Sequence, residues 1–258
     1  MTIVTRKAAL VTGAGHGVGR LIALDLGAHG WNVGVHYFSD KAEADEVVAA
    51  IRREGGQAEA IQANLAREEE TVALVPEAVD RLGPLTLLVN HEASLEPDTA
   101  KTATRDTWDR HLETNLRAPF VLTQAFADQL PRGMGVAAGD GGCVVNILDQ
   151  RAPTLAPRFL SYAVSKAGLL ALTRVLAMAL APRVRVNGIG PGPFSRTVGH
   201  DDAAAGRPVP LRRGVGEEEI AAALRFIVET PSLTGQILTL DAGEHMGWVQ
   251  PAAHRAES

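Results

Sequence analysis

The chain has a single cysteine, Cys143, so no internal disulfide can hold it together. Cys143 lies in an apolar run and reads as a core residue rather than a reactive thiol. A basic stripe is missing too: 25 Lys and Arg stand against 30 Asp and Glu, a formal net charge of −5. That balance argues against a nucleic-acid partner. No segment approaches ~18 apolar residues free of charge, so no membrane span is expected. The first residues run straight into a strand pattern without the apolar block of a signal peptide, which points to a cytoplasmic protein. Eight histidines show neither HExxH spacing nor a clustered ligand set, so no metal site is expected. Repeats, low-complexity tracts and linkers are also lacking. Residues 1–258 therefore read as one domain of ordinary composition, 46% apolar.

What the chain does have is an alternation. Runs rich in Val, Ile and Leu at 7–12, 32–37, 58–65, 85–90, 143–148, 184–189 and 236–241 read as strands buried on both faces. Helical patterns lie between them at 19–30, 41–55, 68–82, 107–130, 167–181 and 217–229. This order demands βαβ crossovers and predicts an α/β fold: a doubly wound, Rossmann-type sheet of seven parallel strands flanked by helices. Two stretches break the rhythm. The Gly-rich 131–142 reads as a surface loop. Residues 193–214 follow the sixth strand at the carboxyl edge, where such sheets bind ligands, and read as a substrate loop.

The first strand ends in Thr12-Gly13-Ala14-Gly15-His16-Gly17-Val18-Gly19 and becomes a helix. Glycines there let backbone amides approach a pyrophosphate, and the helix N-terminus supplies positive potential. Placed after a strand and before a helix, the turn predicts dinucleotide binding. At the end of the second strand the chain reads His36-Tyr37-Phe38-Ser39, with no acid before Asp40 and with Lys41 beyond. A carboxylate there would serve ribose hydroxyls and repel a 2′-phosphate. With His16 and Arg20 also near the turn, NADP(H) is favoured over NAD(H); an inward-pointing Asp40 would weaken that preference.

Tyr162 and Lys166 stand four residues apart, one helical turn, so both project from the same face. A phenol titrates near pH ~10 in water, and an ammonium beside it favours the tyrosinate, making the tyrosine a usable general acid. The pair follows a strand and a loop and opens an apolar helical stretch. Asp149 precedes Tyr162 by thirteen positions.

Together these residues resemble the short-chain dehydrogenase/reductase family, and the likeness spans nearly the whole chain. Thr12-Gly13-x-x-x-Gly17-x-Gly19 resembles its cofactor motif, and Asn90 sits where the family's Asn-Asn-Ala-Gly run begins. Asn115, in Thr114-Asn115-Leu116, matches the helix asparagine that holds a water in the proton relay. Tyr162 and Lys166 match the catalytic pair. Pro191-Gly192 matches the turn on the nicotinamide, and Thr234-Gly235-Gln236 with Asp241-Ala242-Gly243 resembles a C-terminal signature. The resemblance implies NAD(P)-dependent hydride transfer to a small molecule, in a homotetramer. Residues expected against the cofactor are Gly13, His16, Gly17, Val18, Gly19, His36, Tyr37, Ser39, Asn64, Leu65, Asn90, Pro191 and Gly192, with Tyr162 and Lys166.

Three departures stand out. Asp149 replaces the family's catalytic serine. Asn90-His91-Glu92-Ala93 puts a bulky acid where a small residue lines the cofactor. Asn64 replaces an aspartate near the adenine, a mild change because an amide both donates and accepts. An ionised Asp149 cannot donate to a carbonyl oxygen and would repel a developing alkoxide. It suits an electron-poor ring with C=N bonds and N–H groups, which a carboxyl can grip or protonate. Pteridine reductases of this family are similar in carrying Asp, Tyr and Lys at this spacing, in His36-Tyr37, and in the run from Asn187 to Pro193. The catalytic set expected is Asp149, Tyr162, Lys166 and Asn115, with Asp149, Tyr162 and Phe194 touching substrate; Phe194 is placed to stack on a flat ring. Arg151 and Phe159 are further candidates, for substrate contact or for pairing and packing. Two other readings stay open: a carbonyl or alcohol reductase using Asn115, Tyr162 and Lys166, and a non-catalytic cofactor-binding protein.

Overall fold

The computed structural model describes residues 7–131, 141–149, 159–192, 210–211 and 213–246. Strands β1 (Ala8–Val11), β2 (Asn32–Tyr37), β3 (Gln57–Gln62), β4 (Leu87–Asn90), β5 (Gly142–Ile147), β6 (Val184–Pro191) and β7 (Ile237–Leu240) form one parallel sheet. Their spatial order is β3-β2-β1-β4-β5-β6-β7. The winding reverses between β1 and β4, and the crevice at the carboxyl ends of these strands is where such sheets take ligands.

Period-2 alternation divides each strand between two layers. Ala9, Val11, Val89 and Val145 point into one core, which receives Ile22 of α1 (Gly17–Ala28), Val47 of α2 (Lys41–Arg53) and Leu224 of α7 (Glu217–Glu229). Leu10, Leu88, Val144 and Val186 point into the other. It receives Leu74 of α3 (Glu68–Leu82), Phe126 of α5 (Ala118–Gln129) and Leu176 of α6 (Leu160–Ala179). Both faces being covered accounts for the near-continuous apolar strands. Cys143 lies in the first core at 4% exposure, and burial pushes its thiol up to about 11, as a core residue requires.

Local signals set several ends. α3 opens on Glu68, Glu69 and Glu70, which suit the positive end of the helix, and stops at Gly83 with φ 84°. The third strand is shorter than the 58–65 run, because Asn64 leaves the ladder to close a turn, its Oδ1 accepting from Ala66 N–H at 3.0 Å. The expected helix 107–130 is divided into α4 (Arg105–Leu112), a π-turn at Glu113–Arg117, and α5. Pro119 has no N–H to give the Asn115 carbonyl in α-register, and its ring crowds that carbonyl, so the helix widens there.

The helix that Tyr162 and Lys166 open, with its apolar stretch from 167, extends back to Leu160. Its missing start signal is supplied from far away in sequence. Asp98 accepts from Leu160 N–H through its carbonyl at 3.2 Å and from Ser161 N–H through Oδ1 at 3.1 Å. By length and composition alone α6 is long and apolar enough to cross a membrane; here Leu169, Leu176 and Ala177 are buried beneath it. Arg151, Phe194, most of 131–142 and of 193–214, and the tail from Trp248 lie outside the described residues.

Candidate active site

The glycine turn is built by β2. His36 is fully buried at the end of that strand and accepts from Gly13 N–H through Nδ1 at 3.0 Å. The proton therefore sits on Nε2, which donates to the Ala63 carbonyl at 3.1 Å. The His36 carbonyl accepts from Ala14 N–H at 2.8 Å. Burial holds His36 down to about 4, so it is a neutral bridge and brings no positive charge to a phosphate. Its place in the site is as the clamp on Gly13 and Ala14, whose N–H groups are thereby used.

The amides that follow are the ones that could hold an anion. No side chain caps α1, whose N-cap is His16, and its first turn holds no acid. Gly13 and Gly17 adopt φ of 64° and 53°, open to glycine and strained for other residues. A methyl group on Gly19 would lie 2.2 Å from the Gly13 carbonyl oxygen, so strand and helix meet there only because no Cβ intervenes. Val18 is buried beneath the turn, and His16 and Arg20 are exposed at its rim. Asn90, at the end of β4, donates to Asn146 at 2.8 Å while its own Oδ1 is buried without a partner among the described residues. The narrow glycine cradle and this orphaned acceptor fit a dinucleotide lying across the switch point.

On the ribose side, Asp40 turns away. Its Oδ1 accepts from Glu43 N–H at 3.1 Å and caps α2, so this carboxylate is engaged by the helix and not by a ribose. Lys41 pairs with Asp45 at 2.6 Å on the same helix. Ser39 is exposed and Tyr37 half-buried beside them. A cleft of about 470 Å³ opens here, lined by His36, Phe38, Asn64, Leu65, Glu92 and Arg110 among others. Phe38, half-exposed at 52%, and Arg110 carried no sequence signal. Because Asn64 Oδ1 serves Ala66, the end of that amide able to meet a purine is the NH2 group.

At the other end, Pro191 closes β6, and Gly192 N–H donates to the Leu240 carbonyl at 2.7 Å. Any Cβ on Gly192 would lie 2.7 Å from Asp241 Cα. The loop after β4 is tied to the turn by buried Thr12, whose Oγ1 accepts from His91 N–H at 2.9 Å and from Glu92 N–H at 3.0 Å. This sets the Glu92 carboxylate beside Gly13, 2.6 Å from where a Cβ on that glycine would lie.

The Tyr162, Lys166 and Asp149 triplet meets in space. Tyr162 Oη donates to Asp149 Oδ2 at 3.1 Å. Lys166, 3% exposed, donates to the Ile147 carbonyl at 2.9 Å, with Nζ 5.8 Å from the Tyr162 ring centroid. Burial pushes the Lys166 ammonium down to about 8, opposed by the carboxylates of Asp149 and Glu92. Asp149 therefore faces the pair instead of turning away.

Asn115 is fully buried on the π-turn. Its Oδ1 accepts from Ser94 N–H at 2.8 Å, and its Nδ2 donates to the Ser94 carbonyl at 2.9 Å and to Ser165 Oγ at 3.0 Å. The side chain thus joins the β4 loop to α6. One turn earlier, His111 accepts from Glu96 N–H through Nε2 at 2.9 Å and donates through Nδ1 to Ser161 Oγ at 2.6 Å. Ser161 Oγ in turn donates to Asp98. Serine stands between histidine and aspartate, the reverse of a hydrolase triad, so this buried set serves to hold α6. No motif marked it, because Asp98, His111 and Ser161 are scattered along the chain.

Comparison with known proteins agrees with this architecture. Residues 7–206 match the family described as short chain dehydrogenase. The 3-oxoacyl-acyl-carrier-protein reductase FabG of Staphylococcus epidermidis is 31% identical, over 93% of this chain and 99% of its own. The FolM alternative dihydrofolate reductase 1 of Brucella suis, solved in complex with NADP, is 36% identical with a TM-score of 0.86, over 96% of this chain and 99% of its own. A blue fluorescent protein from a metagenomic library, solved with NADPH, is 30% identical with a TM-score of 0.82, over 92% of this chain and 97% of its own. The chain belongs to the short-chain dehydrogenase/reductase family and is an NAD(P)-dependent oxidoreductase of that class.

Proposed function

We propose that the protein is an NADPH-dependent reductase of a pteridine-type ring, with Asp149, Tyr162 and Lys166 in the proton path. The observation that carries this reading is the hydrogen bond from Tyr162 Oη to Asp149 Oδ2. A carboxylate that accepts the phenol hydrogen competes with a ketone oxygen for it, but it suits a ring that presents N–H groups outward and an imine nitrogen to be protonated. NADP(H) is supported by the cap that takes Asp40 out of the ribose site and by the NADP and NADPH complexes of the two structural relatives.

Bound NADPH supplies the hydride. The C=N double bond becomes single as carbon gains that hydride and nitrogen gains a proton. Tyr162 releases the proton to Asp149, which passes it to the ring nitrogen, and the phenolate left behind is balanced by the Lys166 ammonium. Lys166 is anchored on the Ile147 carbonyl, from where it would also hold the nicotinamide ribose. Asn115 fixes Ser94 and Ser165 around the site. The glycine turn with Val18, the β2 end at Tyr37 and Ser39, and Asn64 and Leu65 hold the adenosine half. Pro191 and Gly192 would border the nicotinamide. The enzyme works as a single-domain subunit of a cytoplasmic homotetramer; exposed Val164, Val175 and Met178 on α6 support association through that helix.

The relative named as a dihydrofolate reductase supports a pterin-bearing substrate. The FabG relatives favour a second reading, reduction of a carbonyl by Asn115, Tyr162 and Lys166 without Asp149. Oxidation of NADPH followed by nicotinamide absorbance, with dihydropterins (quinonoid forms included) beside a ketone and aldehyde panel, separates them. Pterin turnover lost in Asp149→Ala is the expected result. Ketone turnover alone, unchanged by that substitution, would establish the carbonyl reductase instead.

A further inference from the structure

Glu92 lies over the first glycine of the cofactor turn. A methyl group on Gly13 would stand 2.6 Å from Glu92 Oε2 and 3.1 Å from Glu92 Cα. The main chain that carries it is fixed, since Thr12 Oγ1 accepts from both His91 and Glu92 N–H groups. The side chain also lines the 470 Å³ cleft with His36, Phe38 and Asn64. An ionised carboxyl in this position is an anion placed where the phosphates of a dinucleotide approach. Two like charges in one partly desolvated cleft cannot both be retained at low cost. We infer that Glu92 sets the cofactor affinity of this enzyme, and that the dinucleotide binds with uptake of a proton at Glu92. The inference rests on the glycine turn being the dinucleotide site.

The charged and titratable groups around Glu92, among the described residues, come from several elements. His16 precedes α1 and Lys166 projects from α6, with Asp149 beyond it; His91 is adjacent in the loop, and Glu96 and its partner Arg110 of α4 line the same cleft. Glu43 of α2 stands behind Gly15, its Oε2 3.6 Å from where a Cβ there would be. Burial raises Glu92 above the ordinary carboxylate range, with His16 and Lys166 pulling the other way. His91 does not contribute charge, being pushed down to about 4 by burial and by Lys166. A bound pyrophosphate adds negative charge and raises Glu92 further. The Glu92 carboxylate also supports the Lys166 ammonium, so the ratio of affinities at each pH reads Glu92 together with that coupling.

The test is calorimetric titration of the full-length protein with NADP+, for wild type, Glu92→Gln and Glu92→Ala. Both variants are expected to bind about tenfold more tightly than wild type at about pH 8.5, with the ratio falling toward unity at about pH 5.5. In buffers of different ionisation enthalpy, wild type takes up a proton on binding and the variants take up less. Equal affinities at both pH values, weaker binding by Glu92→Gln, or a gain independent of pH would each overturn the inference while leaving the cofactor site standing. Binding of NADP+ to none of the three at any pH overturns the dinucleotide reading and this inference with it.

Discussion

Tyr162 gives its hydroxyl hydrogen to Asp149 Oδ2 across 3.1 Å, a bond between the first turn of α6 and the end of the β5 segment thirteen residues earlier. Replacing either partner therefore has separable effects. Tyr162→Phe is expected to lower kcat by ~10²- to 10⁴-fold, the usual worth of a positioned general acid, with NADP+ affinity nearly unchanged. Asp149→Ser is expected to lose pterin turnover and gain ketone reduction, because a hydroxyl donates where a carboxylate cannot. Steady-state assays on both substrate classes check this; a gain in both would remove the role given to Asp149.

Lys166 provides a pH signature. Its ammonium, pushed down to about 8 by burial, is charged below that pH and neutral above it. kcat/KM is expected to fall as pH rises through about 8, approaching about a tenfold loss per further pH unit. Lys166→Arg, which stays charged throughout, should abolish this limb whatever its absolute rate, and a pH–rate profile of each protein reads it.

The His36 clamp should show in acid. With a folded-state pKa of about 4 against 6.5 when exposed, His36 stays neutral in the fold while the unfolded chain takes up a proton. Stability is therefore intact above pH 6.5 and is lost progressively as pH falls toward 4. That gap is worth about 3 kcal/mol if fully crossed. Denaturant unfolding of His36→Asn between these pH values is expected to show a flatter dependence than wild type, whatever its stability at neutrality.

Asp98 should matter to both stability and geometry. Its carboxylate accepts from Ser161 N–H, 63 residues away, so Asp98→Ala is expected to cost about 1–2 kcal/mol, the range for a lost N-cap. Since Tyr162 follows directly, kcat should fall while NADP+ affinity is kept. Thermal unfolding beside steady-state kinetics checks both parts.

Most of the architecture was legible because strand period, glycine spacing and the Tyr-x-x-x-Lys turn are local patterns. The parallel sheet, the cradle at Gly13 to Gly19 and the Tyr162–Lys166 pair all follow from residues close in sequence. What escaped depends on contacts over long separations. The partner of the first turn of α6, Asp98, was hidden because it belongs to another loop. His36, expected against the cofactor, spends its two nitrogens on Gly13 and Ala63, partners 23 and 27 residues away. The π-turn did leave a local trace, Pro119 four residues after Asn115, which a uniform 3.6-residue period passes over.

His111 meets Ser161, and Asn115 meets Ser165. Each pair is fifty residues apart, and the two pairs are one helical turn apart on both partners. They work as the two teeth of a key. Sliding α6 by one turn, about 5.4 Å, would engage one tooth wrongly and strand the other in a dry interior, where an unmatched polar group costs about 1–3 kcal/mol. Greasy packing alone tolerates such slippage; this latch does not. Tyr162 rides between the teeth, so its bearing toward Asp149 has a single admissible setting, chosen by the lock before any ligand arrives.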